Sequence, residues 1–352
     1  MPAERVNTAV RAWQVTRYGG PSEALALTTI APPRPGPGEI LVRTSASACN
    51  YNEIDGCYGR YLTVNPSLPY TLGMEFVGKV TDSGAGAEAW IGRRVMGAGT
   101  GAIGAHAEQV VGPSTMAFDV PPELSDTEAA AFFFPFHLAH LGLHERGQLT
   151  KGETVLIHAA VGGVGSAAVQ LAVAAGARVI ATAGSPSKLE IARSLGADVA
   201  IDYSAGGFAA AVLDATDGRG VDICFDGVGG GVTNESLRCL ARNGRHLVVG
   251  FASGIEAEEV PTVTGRTLCF GNFSLVGVVL SYQDPTLAPA GLGYNPMPPE
   301  VGIQVHAHLV ELLRAGQIRP VIGKVVPFAE LPGALEEMEA RRTVGRTVVT
   351  WR

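Results

Sequence analysis

Between residues 154 and 250 short apolar runs alternate with stretches whose apolar residues recur at helical spacing. TVLIH, ARVIATA, VAIDY, VDICFDG and RHLVVG read as buried strands. GSAAVQLAVAAG, SKLEIARSLG, GFAAAVLDAT and TNESLRCLARN read as the helices between them. That alternation predicts βαβ units and a parallel sheet. Up to about residue 130 the texture differs: RAWQVTRYGG, ILVRTSASAC, GKVTDSGAG and RRVMGAGTGA are short β-rich runs cut by Gly and Pro. They predict a compact, mostly β domain, a partial barrel. Between the two textures, TEAAAFFFPFHLAHLGLHERG is helical material broken near Pro135. A Pro/Gly-rich segment, 283–300, interrupts the alternation, and a helix (VGIQVHAHLVELLRAG) and the strands GKVVPF and RTVVTWR close the chain.

Composition narrows the classes. The chain has 352 residues, 46% of them hydrophobic and 17% charged, enough apolar material for about two cores. A net charge of −7 argues against a nucleic-acid partner. The five cysteines are scattered, with no C-x-x-C pair, so neither a disulfide framework nor a cysteine-rich zinc lobe is expected. The N-terminus lacks the order of a signal peptide, and no run reaches the ~18 apolar residues of a membrane span, so a cytoplasmic, membrane-free protein is expected.

The strand TVLIH runs straight into AAVGGVGSAAVQLA. Set against G-x-G-x-x-G, the positions are Ala160, Gly162 and Gly165, with Gly163 and Val164 between the last two. Small residues there let the backbone turn tightly and approach a pyrophosphate, and the helix N-terminus offers it free N–H groups. The next strand should end in a carboxylate if a ribose diol is to be gripped. It ends in Gly184-Ser185-Pro186-Ser187-Lys188 instead. A hydroxyl and an ammonium suit a ribose phosphate, so NADPH is the expected cofactor; the alternative is that Lys188 merely opens a solvated helix face.

These segments, with CNYNEIDGCYGRY, LGMEFVG, DVAIDY, FDGVGG, NGRHLVVG and GRTVV, resemble the medium-chain dehydrogenase/reductase superfamily. Within it the chain is similar to the zinc-independent quinone oxidoreductase and enoyl reductase branch. The resemblance implies an α/β protein: a GroES-like catalytic domain, residues 1–130 with 300–352, and a doubly wound Rossmann domain, residues 131–299. In the zinc alcohol dehydrogenases of this superfamily the motif matching LGMEFVG is Gly-His-Glu, whose histidine binds the metal; here Met74 stands there, before Glu75. A thioether is a poor zinc ligand, so no metal is expected. Cys49 could supply a thiolate, but one thiolate without its histidine makes no site. Without a Lewis acid the substrate must accept hydride readily, as a quinone, an enone or an enoyl thioester does.

The resemblance also implies roles. Asn50 opens the cleft segment and Tyr61 closes it, at the position of a tyrosine considered the proton donor in enoyl thioester reductases. The alternatives are an aromatic packing at a turn for Tyr61 and a turn-stabilising amide for Asn50. Tyr203 matches a tyrosine near the adenosine phosphate. Gly227 and Gly229, with Gly250 and Phe251, match strand ends on the nicotinamide side, and Arg346 keeps the charge of a usual lysine. Asp55 and Cys57 replace a tyrosine and an arginine of the quinone oxidoreductases. FPFHLAHLGL lacks a threonine usual near the nicotinamide and brings His137 and His140, as cleft acids or core histidines.

A non-catalytic, crystallin-like NADPH-binding protein and a metal-dependent alcohol dehydrogenase are the competing readings. SLVGVVL (274–280) is an apolar strand at the end of the array, expected to pair with its mate in a homodimer. The 283–300 segment is a linker or a flap carrying Tyr294 and Met297.

Overall fold

The structure, a computed structural model, describes residues 9–61, 66–204, 206–254, 263–287 and 293–351. Three sheets organise them. The strand Glu39–Ala48 is the hub of a seven-stranded sheet, pairing antiparallel with Glu75–Ser83, Gln109–Pro113 and Arg346–Thr350. The strands Ile322–Pro327, Arg94–Ala98 and Ala117–Asp119 complete that sheet. The C-terminal strand is therefore built into the same sheet as the N-terminal segment. A small sheet of Leu25–Ile30, Val10–Val15 and Tyr70–Thr71 packs beside it.

The alternating segment forms a six-stranded parallel sheet. Its order is Val199–Asp202, Arg178–Ala183, Thr154–Ile157, Val221–Asp226, Leu240–Val248 and Ser274–Gly277. Numbered along the chain this is 3-2-1-4-5-6, the doubly wound order, with its switch point between Thr154–Ile157 and Val221–Asp226. Both strands at that point are almost wholly buried.

Three details depart from the sequence pattern. The helical material breaks at Ala131–Phe132, not at Pro135, which occupies the first turn of the helix Phe133–His140. There its missing N–H is not needed. Leu240 to Asn243 belong to a strand rather than to the preceding helix, which ends at Ser236. The ladder at the sheet edge covers Ser274–Gly277, shorter than the apolar run suggested.

Candidate active site

Residues from both sheets meet beside the glycine turn. The turn opens the helix Gly163–Ala174 at the C-terminal end of the strand Thr154–Ile157. Gly165 is needed for packing: a Cβ there would lie 2.2 Å from the Ala159 carbonyl oxygen. Gly163 has a different neighbour. Its missing Cβ would come within 2.4 Å of Arg346 Cδ. Gly345 N donates to Val161 O at 2.7 Å, and Gly345 forms a parallel bridge with Gly162. The C-terminal strand is thus tied directly to the turn. A glycine-rich turn at a helix N-terminus on the switch point fits a dinucleotide pyrophosphate.

Arg346 is 6% exposed and pairs through Nη2 with Glu75 Oε1, while Nη1 donates to Asn50 Oδ1 at 3.1 Å. Asn50 Nδ2 donates to the same Glu75 oxygen and to Ala48 O, each at 3.1 Å. The other Glu75 oxygen accepts Phe134 N at 3.2 Å. Burial pushes the Glu75 carboxyl above the usual range, with Arg346, Asn50 and the Phe134 amide pulling against it. The carboxylate beside Met74 therefore joins the seven-stranded sheet, the glycine turn and the helix Phe133–His140.

A second buried carboxylate, Glu53, supports this cluster. It accepts Asn50 N (3.1 Å) and Met74 N (2.9 Å), and His106 Nε2 lies 3.0 Å away. His106 Nδ1 in turn meets Ser47 Oγ at 2.9 Å. Burial raises the Glu53 carboxyl, but His106 and the two amides outweigh it and hold the group below its ordinary value. Ser47, His106 and Glu53 have the composition of a hydrolase triad, yet all three are fully buried and Glu53 is committed to backbone amides. They act as a brace. Sequence reading passed over Glu53, although an Asn followed three residues later by Glu is a helix-start signature.

Tyr61 lies in an apolar cluster with Trp13, Ile54, Leu72 and Phe328, its ring edge against Gly56. Its hydroxyl is buried and has no hydrogen-bond partner among the described residues. No bond joins it to Asn50. Burial, with Glu53 and Tyr70 adding to it, pushes the phenol well above its ordinary value. Asp55, buried, pairs with Arg60 at 3.0 Å, and the Cys49 and Cys57 thiols are pushed up by burial.

At the end of the second parallel strand the three expected residues come together. Ser185 Oγ accepts Lys188 N at the helix start, and the Tyr203 hydroxyl closes over Gly184. Lys188 Nζ donates to Arg341 O at 3.0 Å, placing the Arg341-Arg342 turn beside this strand end. Only the tertiary fold reveals that neighbour. Gly227 and Gly229 lie against Gly250 and Phe251: Gly227 O accepts Ala252 N at 3.2 Å.

His137 and His140 belong to the core. His137 meets Tyr282 Oη at 3.1 Å and His306 at 3.3 Å, and His140 meets His308 at 2.9 Å. Burial pushes His137 well below the usual range and His140 to about 3. Tyr294 accepts from Gln283 Nε2 at 3.3 Å and Met297 bridges Tyr282, while 288–292 lie outside the described residues. Among the described residues no group of three or more His, Cys, Asp or Glu is arranged to hold a metal ion. None of their helices is long and apolar enough to cross a membrane.

Residues 36–122 match the alcohol dehydrogenase GroES-like domain, and residues 163–289 match the zinc-binding dehydrogenase family. A quinone oxidoreductase of Pseudomonas aeruginosa is 36% identical over 337 residues, covering 96% of this chain and 98% of its own. The chain belongs to the medium-chain dehydrogenase/reductase superfamily, in its quinone oxidoreductase branch. Solved structures superpose along nearly its whole length. A Pseudomonas syringae quinone oxidoreductase gives a TM-score of 0.83 at 32% identity, covering 97% of this chain and 99% of that one. A mycobacterial protein complexed with NADPH gives 0.83 at 30%, with the same coverage. The medium-chain dehydrogenase/reductase fold expected from the sequence is the observed one.

Proposed function

We propose that this chain is an oxidoreductase that binds NADPH and, without a metal, delivers hydride to a quinone or an α,β-unsaturated carbonyl. The observation that carries the reading is Met74, in place of a metal-binding histidine, with its amide held by Glu53. The similarity to a quinone oxidoreductase and to a protein solved with NADPH supports it.

When bound, NADPH supplies the hydride. The amides of 162–165 would hold the pyrophosphate, and Ser185, Lys188 and Tyr203 the ribose phosphate. Arg346, neutralised by Glu75, braces the turn from below. Gly227, Gly229, Gly250 and Phe251 would border the nicotinamide. Tyr61, kept protonated by its surroundings, would give a proton to the α-carbon of an alkene. A buried hydroxyl with no partner among the described residues is costly, which supports a working role for it.

Stopped-flow oxidation of NADPH by a panel of quinones, enones and enoyl thioesters tests the reading, alongside elemental analysis and prolonged chelation. Turnover should survive the chelator. NADPH binding with no oxidation by any acceptor would favour a non-catalytic binding protein; stoichiometric zinc whose removal abolishes activity would favour a metal-dependent alcohol dehydrogenase.

A further inference from the structure

A polar cluster lies under the C-terminal ends of the parallel strands, where an apolar core would be cheaper. Its centre is Asp226, the last residue of Val221–Asp226 and 1% exposed. One carboxylate oxygen accepts Val228 N (2.8 Å) and Gly229 N (3.0 Å). The other accepts Thr233 Oγ1 at 2.5 Å and lies 3.2 Å from His246 Nε2. The Asp226 carbonyl accepts Val249 N and Gly250 N at 2.9 and 3.3 Å.

The two loops after strands four and five of this sheet are therefore fixed by one residue. They are also bonded to each other, Ala252 N to Gly227 O and Ser253 N to Val228 O. His158, at the head of the glycine turn, extends the cluster: it meets Thr182 Oγ1 at 2.9 Å and Ser236 Oγ at 2.8 Å. In a doubly wound sheet the first three strands take the adenosine half of a dinucleotide, and strands four and five border the nicotinamide half. Asp226 itself bonds the backbone of both loops.

We propose that Asp226 is a positioning residue for hydride transfer: its buried carboxylate holds the 227–229 loop, to which 249–253 is bonded, in the register that places the nicotinamide ring. The inference rests on the NADPH reading above. Its surroundings favour the charged form: burial opposes it, but His246, His158 and Thr233 hold the acid well below the ordinary range. A small misplacement of reacting atoms costs rate far more than it costs binding.

Asp226→Asn removes the charge while keeping one acceptor oxygen, and Thr233→Val removes one donor. In the cofactor-free protein, hydrogen exchange at Val228 and Gly229, whose amides the carboxylate accepts, should accelerate in both. The dissociation constant for NADPH should stay within about threefold, and the bound nicotinamide's fluorescence lifetime should shorten as the ring gains freedom. With 9,10-phenanthrenequinone as acceptor, kcat should fall about 10- to 100-fold, with a larger primary isotope effect from 4-deuterated NADPH. Unchanged exchange and kcat would overturn the role, as would parallel loss of NADPH affinity and kcat. If Asp226→Asn fails to fold, Thr233→Val should show the same split at smaller size, and its absence there would equally overturn the role. Wild-type protein that binds no NADPH would overturn the functional reading itself; wild-type turnover with indifferent variants would overturn only the role of Asp226.

Discussion

Arg346 pairs with Glu75 across the seven-stranded sheet, and its side-chain stem lies against Gly163 at the head of the helix Gly163–Ala174. The guanidinium is held at one end by Glu75 and Asn50 and at the other by its strand, so it cannot swing aside. Gly163→Ala should therefore lower NADPH affinity about tenfold, or about 1.4 kcal/mol. Gly162→Ala, whose Cβ would meet only Ala159 O at 3.3 Å, should cost less. Equal NADPH titrations for the two variants would contradict this.

Removing the carboxylate leaves a buried guanidinium unpaired. Glu75→Ala should destabilise the protein by about 3–5 kcal/mol, read from urea unfolding. A loss below about 1 kcal/mol would mean that water or Asn50 replaces the carboxylate.

Cofactor choice should depend on Lys188. One charge-assisted hydrogen bond is worth about 1.5–3 kcal/mol. Lys188→Ala should weaken NADPH binding about ten- to hundredfold and leave NADH binding nearly unchanged. Salt should narrow the gap in the wild type. Equal affinities for both cofactors at low salt would refute this use of the strand end.

Tyr61→Phe separates acid from packing. Enone turnover should fall about 10²–10⁴-fold, the worth of a positioned acid. Quinone reduction should fall less, since its oxygens take protons from water. Small, equal losses would leave Tyr61 a packing residue.

Acid should unfold the protein early. His137 and His140, with His158 pushed by burial to about 4, are held below the ordinary imidazole value of about 6.5 in the folded state. Above pH ~6.5 they are neutral folded or unfolded, and their contribution is intact. Below it the unfolded chain binds protons the folded one refuses, so stability falls until the folded imidazoles titrate. Each should add a slope of about 1.4 kcal/mol per pH unit, with the raised Glu75 offsetting part. Thermal melts from pH 7.5 to 4.5 should show Tm dropping steeply below 6.5; a flat profile to pH 5 would contradict the assignment.

The sequence by itself carried the layout of this protein, because its information is local. Apolar period, Gly and Pro punctuation, the AAVGGVG turn after a strand and the missing acid after Ala183 can each be read without knowing what lies across the fold. The Gly-His-Glu position held by Met74 was legible for the same reason. Boundaries governed by distant contacts were not. Leu240–Asn243 has helical spacing, yet its first residue pairs with Val221, and the ladder through Arg245 extends the strand. Glu53, His106 and Asp226 are ordinary polar letters in the chain. Only packing removes them from water and leaves them backbone amides, hydroxyls and one another's charged or imidazole groups as partners. That Arg346 lies against the Glu75 carboxylate was likewise decided by the meeting of two segments 271 residues apart, since a charge in a low-dielectric junction takes the nearest opposite charge the fold supplies.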